Sequence, residues 1–354
     1  MVLNDQPVGI LSTGLYIPEK FITSEDISKA SGIARQIIED KMGFRRKPVP
    51  GPNDHTCQMG IYAAHQAIGE AGIEAEEIDV VIYVGEEYKE YPVWTAGIKL
   101  QHEIEAKRAW AFDVSLRCGT TIMAMKLAKS LMKSDDGINT VLLAGGYRNC
   151  DLIDYRNPRS RFLYNLGAGG AAIILRKGLK ENEVLETVVM TDGAFSEDVA
   201  VVAGGTKVPI SHEALDQRLN YLDVFDPEDM KKRLDKKSMQ NFVRVVHESV
   251  KRSGYTVNDI DYLAILHMKR SAHTFVLKEL GLREDQAIYL EDYGHIGQID
   301  QVLSLRLALD AGKIKNGDIV VLVSAGIGYV WDAVTIKWGS ATRLHVNDKE
   351  KTDG

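Results

Sequence analysis

The chain carries two copies of one pattern. The segment "AHQAIGEAGIEAEEIDVVIYVG" (Ala64–Gly85) matches "VHESVKRSGYTVNDIDYLAILH" (Val246–His267), with His65 on His247, Gly72 on Gly254 and Asp79 on Asp261. Each copy reads as a helix, a glycine stop, a capped turn and a β-branched strand. A second match follows at nearly the same interval, "TTIMAMKLAKSLMK" (Thr120–Lys133) on "DQVLSLRLALDAGK" (Asp300–Lys313). Buried-strand patterns ending in glycines come after both helices, "TVLLAGGY" (Thr140–Tyr147) and "IVVLVSAGIGY" (Ile319–Tyr329). Such a repeat predicts two similar α/β halves about a pseudo-twofold axis, sharing a central helical layer. Continuous apolar strands such as "VVIYVG" suit sheets covered on both faces. Loops after equivalent strands then converge where the halves meet, at strand carboxyl ends.

Composition narrows what such a fold does. The 354 residues allow a large core. A net charge of −7 argues against a nucleic-acid partner, which normally meets a basic surface. No apolar run approaches the ~20 residues that span a bilayer. The opening "MVLNDQPVGIL" has no charged region before a long apolar one, so no signal peptide is expected. The three cysteines, Cys57, Cys118 and Cys150, are far apart and odd in number. That favours a reducing cytoplasm over a disulfide framework or zinc cluster. The histidines show no HExxH or CxxC-type spacing, so no metal is expected.

The repeat selects the candidate site. Cys118 sits at a strand-to-helix corner, "DVSLRCGTT", and its counterpart region is "EDYGHIGQIDQ", which holds His295. The strand end at Gly85 corresponds to His267, and Glu86 and Glu87 follow Gly85. Taken alone, a cysteine at such a corner is more often a small buried hydrophobe. Four equivalent loops bearing Cys, His, His and Glu-Glu instead suit nucleophilic catalysis through a thiolate. Cys118 opens an apolar helix, whose dipole and free N–H groups favour a thiolate. Imidazoles exchange protons near neutral pH. Glycine-rich "SAGIGY" is the kind of turn that aims backbone N–H groups at an oxyanion. Cys57 and Cys150 lack such convergence and read as structural.

These motifs resemble the thiolase-superfamily condensing enzymes, closest in layout to the β-ketoacyl-acyl-carrier-protein synthase III family. The resemblance runs from Gly9 to about Gly339, through "STGLYIPEKFITSEDI", "AFDVSLRCGTT", "LGAGGAAIIL" and "AGIGYVWDA" in order. It implies a thiolase-like five-layered αβαβα fold: an N-terminal half over 1–178 carrying the nucleophile and a C-terminal half over 179–340 carrying both histidines; the polar residues over 341–354 read as a frayed tail. It makes Cys118 the acylated nucleophile and His267 the first imidazole of the family's Cys-His-Asn triad. Cys118 and Ile327 would supply the oxyanion-hole N–H groups, with Gly326 and Gly328 shaping the substrate-binding loop. The triad asparagine falls on His295, so the set is Cys-His-His, as in elongating ketoacyl synthases. "HMKR" replaces the family's "HQAN", placing Arg270 near the mouth beside Arg45, Arg46, Lys47 and Arg244. The family's adenine-stacking tryptophan falls on Ile37.

Over the N-terminal half, "KMGFRRKPVPGPNDHT" and "YVGEEYKEYP" also resemble archaeal-type 3-hydroxy-3-methylglutaryl-CoA synthases. There a glutamate at the position of Glu87 is the general base. The expected reaction is therefore Claisen condensation of two acyl thioesters through acyl-Cys118. The alternatives are a non-decarboxylating condensation with Glu87 as base, acyl transfer to a hydroxyl or amine, or an inactive partner subunit. Acyl-CoA or acyl carrier protein would be substrates rather than cofactors. A cytoplasmic homodimer is implied. Pocket walls are expected from the loop 151–166.

Overall fold

The computed structural model describes residues 5–339. The tail expected over 341–354 lies outside them. Nine long strands form one mixed sheet: β1 (Val8–Tyr16), β2 (Val80–Val84), β3 (Trp110–Val114), β4 (Thr140–Tyr147), β5 (Gly169–Lys177), β6 (Glu183–Thr191), β7 (Ile260–Ile265), β8 (Ile319–Gly326) and β9 (Val330–Lys337). Their order is β7-β8-β9-β6-β1-β5-β4-β2-β3. The order contains the repeat. In the run β2-β4-β5-β1, the first pair is parallel and the next two are antiparallel. The run β7-β8-β9-β6 reproduces this pair by pair. The runs meet at β1 and β6, where Gly9 pairs with Glu183. Among the described residues, β3 has no strand as its counterpart in the second run.

Six helices complete five layers: α1 (Thr56–Ala71), α2 (Ala96–Glu103), α3 (Thr120–Ser134), α4 (Pro227–Arg252), α5 (Arg270–Glu279) and α6 (Asp300–Asp310). Helices α1 and α2 cover the outer face of the first run, and α4 covers that of the second. Helices α3 and α6 lie between, each touching strands of both runs. Local chemistry sets the helix ends. Helix α1 stops at Gly72, whose φ of 63° is a left-handed position that glycine occupies without a Cβ penalty. Helix α4 starts at Asp226, whose side chain accepts from the Asp229 N–H, with Pro227 at the first helical position.

Helix α6 is buried on nearly every side, so its polar groups need partners within the protein. Gln301 donates to the Val323 carbonyl at 3.2 Å, and Arg306 grips both carboxylate oxygens of Glu70 at 2.5 and 2.9 Å. A central layer of this kind holds the strand ends of the two runs in fixed register, and the candidate site lies where those ends meet.

Candidate active site

Cys118 follows β3 in a strained turn. Arg117 has φ of 51°, a left-handed value that costs a non-glycine residue about 1–3 kcal/mol. Thr120 ties the turn down: its hydroxyl donates to the Arg117 carbonyl at 2.5 Å and accepts from the Leu116 N–H at 2.8 Å. The Cys118 carbonyl accepts from the Ser324 hydroxyl at 2.7 Å. Gly326 at the end of β8 closes against this turn. A Cβ there would stand 2.8 Å from the Cys118 nitrogen, so only glycine permits the approach. Cys118 itself is buried, immediately before the N-terminus of α3.

His295 Nε2 lies 3.1 Å from Cys118 Sγ. Its Nδ1 lies 2.6 Å from Asp300 Oδ2. Asp300 is fully buried and also accepts the backbone N–H groups of His267 at 2.8 Å and Ile296 at 2.7 Å. Burial disfavours charge on the His295 ring, but the Asp300 carboxylate and the Cys118 sulfur outweigh it and raise the ring well above its ordinary value. Burial pushes the Cys118 thiol up, and the adjacent His295 opposes that. Cysteine, imidazole and carboxylate thus form a line along which a proton can be held at His295.

His267 is the opposite kind of histidine. Its Nε2 faces the Gly43 carbonyl at 3.0 Å, and its Nδ1 faces the Asn165 amide nitrogen at 3.0 Å. A carbonyl only accepts, so Nε2 carries the proton and Nδ1 accepts from Asn165. Burial pushes its pKa down to about 4, which keeps the ring neutral. One histidine is poised to be charged and the other is not, as acid-base division of labour requires.

The two adjacent glutamates differ in burial. Glu87 points outward with its side chain 69% exposed, bonding Ser115 at 3.0 Å and Arg117 at 3.3 Å. Glu86 is the buried carboxyl. Asn149 donates to its Oε2 at 2.6 Å and Arg117 reaches the same oxygen at 3.3 Å. Burial raises its pKa, against the pull of Arg117 and Asn149.

The candidate groups open on one cavity of about 830 Å³, with Asp300 behind its lining. Cys118, His267, His295, Glu86, Glu87 and Asn165 line it. The loop 151–166 contributes Leu152, Phe162, Leu163 and Leu166, as expected, and α4 adds Met239 and Phe242 to a mostly apolar lining. Ile327 lines the cavity, while Gly326 packs against the Cys118 turn and neither it nor Gly328 is among the lining residues.

The basic residues expected at the mouth disperse. Arg45 pairs with Glu291 and Asp292, and Arg270 pairs with Glu291 over the Tyr289 ring. Both line a smaller adjacent pocket of about 260 Å³. Arg244 lies on the exposed side of α4, pairs with Glu248 one turn on, and lines neither cavity. Lys47 is not at the surface. It is fully buried, and its ammonium donates to the Tyr164 and Leu166 carbonyls at 2.6 and 2.5 Å.

Sequence reading missed Asp300, Asn165 and Asn149. Asp300 left a signal, an acid opening a helix five residues after His295 in "HIGQID". The two asparagines left none, because their partners lie 102 and 63 residues away in sequence. Among the described residues, no group of three or more His, Cys, Asp or Glu side chains is placed to hold a metal ion. None of the helices there is long and apolar enough to cross a membrane.

Known proteins share this fold and stretches of this sequence. The family model "3-oxoacyl-[acyl-carrier-protein (ACP)] synthase III" matches residues 112–193, and the model of its C-terminal part matches residues 250–338. The first segment contains Cys118 and Asn165, and the second contains His267, His295 and Asp300. The β-ketoacyl-[acyl-carrier-protein] synthase III of Symbiobacterium thermophilum is 28% identical over 340 residues, covering 94% of this chain and 99% of that one. That of Clostridium acetobutylicum is 29% identical over 336 residues, covering 94% and 98%. The crystal structure of the Thermus thermophilus synthase III superposes with a TM-score of 0.81 at 23% identity, covering 94% and 100%. Through its fold, two matching family models and relatives along nearly its whole length, this chain is similar to the β-ketoacyl-acyl-carrier-protein synthase III enzymes.

Proposed function

We propose that this chain is an acyltransferase that joins two acyl thioesters by Claisen condensation, with Cys118 as the acylated nucleophile. The observation that carries the reading is the line Cys118–His295–Asp300 at the head of an apolar cavity, at 3.1 and 2.6 Å. In this reading the Cys118 thiolate attacks the first thioester carbonyl, and the N–H groups of Cys118 and Ile327 receive the developing oxyanion. The leaving thiolate departs with the proton held by His295. A second thioester then forms a carbanion, which attacks the acyl-cysteine carbonyl and releases the Cys118 thiolate. The half over 1–178 supplies the nucleophile and the half over 179–340 both histidines.

The substrates in this reading are coenzyme A or acyl-carrier-protein thioesters. Arg45 and Arg270, beside the smaller pocket, are the candidate contacts for their phosphates, and Arg244 is set aside on its position. Apolar walls fit an acyl chain or ring rather than a polar group. A homodimer is supported by β3, an open edge strand whose Trp110 and Phe112 rings stack at 5.2 Å, with Trp110 half exposed. The cytoplasm suits three free cysteines.

A second reading, condensation without decarboxylation, is favoured by one observation: a buried carboxyl, Glu86, on the cavity wall beside Cys118. Intact-protein mass after incubation with a panel of acyl-CoA thioesters tests the main proposal. One acyl group per chain is expected, and none on Cys118→Ala. Equal labelling of that variant would sink the assignment.

A further inference from the structure

His267 offers the cavity no free N–H. Its one N–H bond points at the Gly43 carbonyl, and its bare Nδ1 is occupied by the Asn165 amide. His267, which lines the cavity with Cys118, is therefore spoken for on both sides. The amide that occupies it is not. A primary amide carries two N–H bonds, and the bond to His267 uses one. Because a bare nitrogen can only accept, that bond also decides which way the amide faces: Nδ2 toward the ring, Oδ1 away from it.

The backbone around Asn165 is held by four hydrogen bonds. The Asn165 carbonyl accepts the His295 N–H at 2.9 Å, and the Gly167 N–H returns to the His295 carbonyl at 2.8 Å. The carbonyls on either side, of Tyr164 and Leu166, both go to the buried Lys47 ammonium. Gly294 makes room for this. Its φ is 62°, and a Cβ there would come within 2.3 Å of the Asn165 carbonyl oxygen. Asn165 is thus bound to the His295 loop through its main chain and to His267 through its side chain, on the wall of the cavity that contains Cys118.

We infer that Asn165 is a further catalytic residue, whose second amide N–H hydrogen-bonds the carbonyl oxygen of the carbanion-forming thioester while His267 orients the amide. This inference rests on the condensation reading above and adds the donor for its second step. As the α-carbon bond breaks, to carbon dioxide or to a proton taken by a base, its electron pair moves onto that oxygen. Negative charge develops there and the Asn165 N–H stabilises it. The pair returns through carbon when the new carbon-carbon bond forms to acyl-Cys118, and the Cys118 thiolate leaves. Lys47 in this scheme is a positioning residue, acting through the carbonyls that flank Asn165.

The test separates the two half-reactions in the full chain, using Asn165→Ala and Asn165→Asp. Acylation of Cys118 is read by intact mass with an acyl-CoA panel. Carbanion formation is read by carbon dioxide release from malonyl-CoA and by α-deuterium exchange into acetyl-CoA in D₂O. Loss of one oxyanion donor predicts a fall of about 10²–10³-fold in carbanion formation. Acylation should stay within about twofold. Asn165→Asp should be at least as impaired, because a carboxylate has no proton for the bare His267 Nδ1. A cooperative thermal transition near that of wild type checks that each variant is folded. Unchanged carbanion formation overturns the inference, and so does an equal fall in acylation and carbanion formation. A wild-type chain that gains no mass from any thioester overturns the condensation reading instead, and this inference with it.

Discussion

One carboxylate oxygen, Asp300 Oδ2, lies 2.6 Å from His295 Nδ1 and accepts the His267 backbone N–H at 2.8 Å. The two histidines come from different loops of the second half, and Asp300 at the head of α6 fixes both. It orients one ring by its side chain and anchors the other residue by its main chain. Replacement by asparagine keeps the shape but loses the charge, and its amide favours the wrong His295 tautomer. Asp300→Asn should slow Cys118 acylation by on the order of 10²- to 10⁴-fold, measured as the rate of mass gain from an acyl thioester. The same pairing has a pH signature. His295 titrates higher folded than unfolded, so its contribution to stability is full below about pH 6.5 and is lost as pH rises through the raised folded value. The destabilisation of His295→Gln in urea should therefore be largest in mild acid and shrink with rising pH.

Glu86 and Glu87 can be separated by their burial. If a carboxylate takes the α-proton, the buried Glu86 with its raised pKa is better matched to the task than the exposed Glu87. Glu86→Gln should lower α-deuterium exchange of acetyl-CoA by about 10²-fold or more, in the range of a general base. Glu87→Gln should change it by less than about threefold. The reverse ranking would return the role to Glu87.

Asp332 on β9 is fully buried, and neither carboxyl oxygen has a hydrogen-bond partner among the described residues. It sits against Gly119, where a Cβ would come within 2.6 Å of Oδ2. Burial raises its pKa well above the ordinary 3.8. A group of that sign costs nothing below about pH 3.8 and an increasing amount as pH climbs toward its folded value. Asp332→Asn should stabilise the protein at neutral pH by about 1–3 kcal/mol. The gain should vanish near pH 4, as read from urea midpoints across that range.

Gly326 allows β8 to pass beside the nucleophile turn. Gly326→Ala places a methyl 2.8 Å from the Cys118 nitrogen and 3.0 Å from the Arg117 Cβ, so the turn must move. A shift on the order of 1 Å costs about 10²-fold in a reaction of this kind. Acylation kinetics should show that loss with the thermal transition still cooperative. An unchanged rate would mean that the turn tolerates displacement.

Much of this was legible in the sequence. The repeat alone determined that the chain folds as two like halves with helices between them. Periodicity and glycine stops are local, and a pattern written twice predicts a structure built twice. It also determined that Cys118, His267 and His295 end equivalent segments and so converge. The tertiary structure decided what no local pattern records. The backbone after β2 turns Glu86 inward and Glu87 outward, although the two are adjacent and chemically identical. Lys47, in a basic run that reads as surface, is buried by the fold, and two backbone carbonyls there accept from its Nζ. Arg244 faces solvent because its helix turns another face, bearing Met239 and Phe242, to the cavity. Asn165 and Asp300 acquire their roles only from partners that the fold brings to them. Hydrogen bonds are short-ranged, so which groups share a proton is settled by packing rather than by order along the chain.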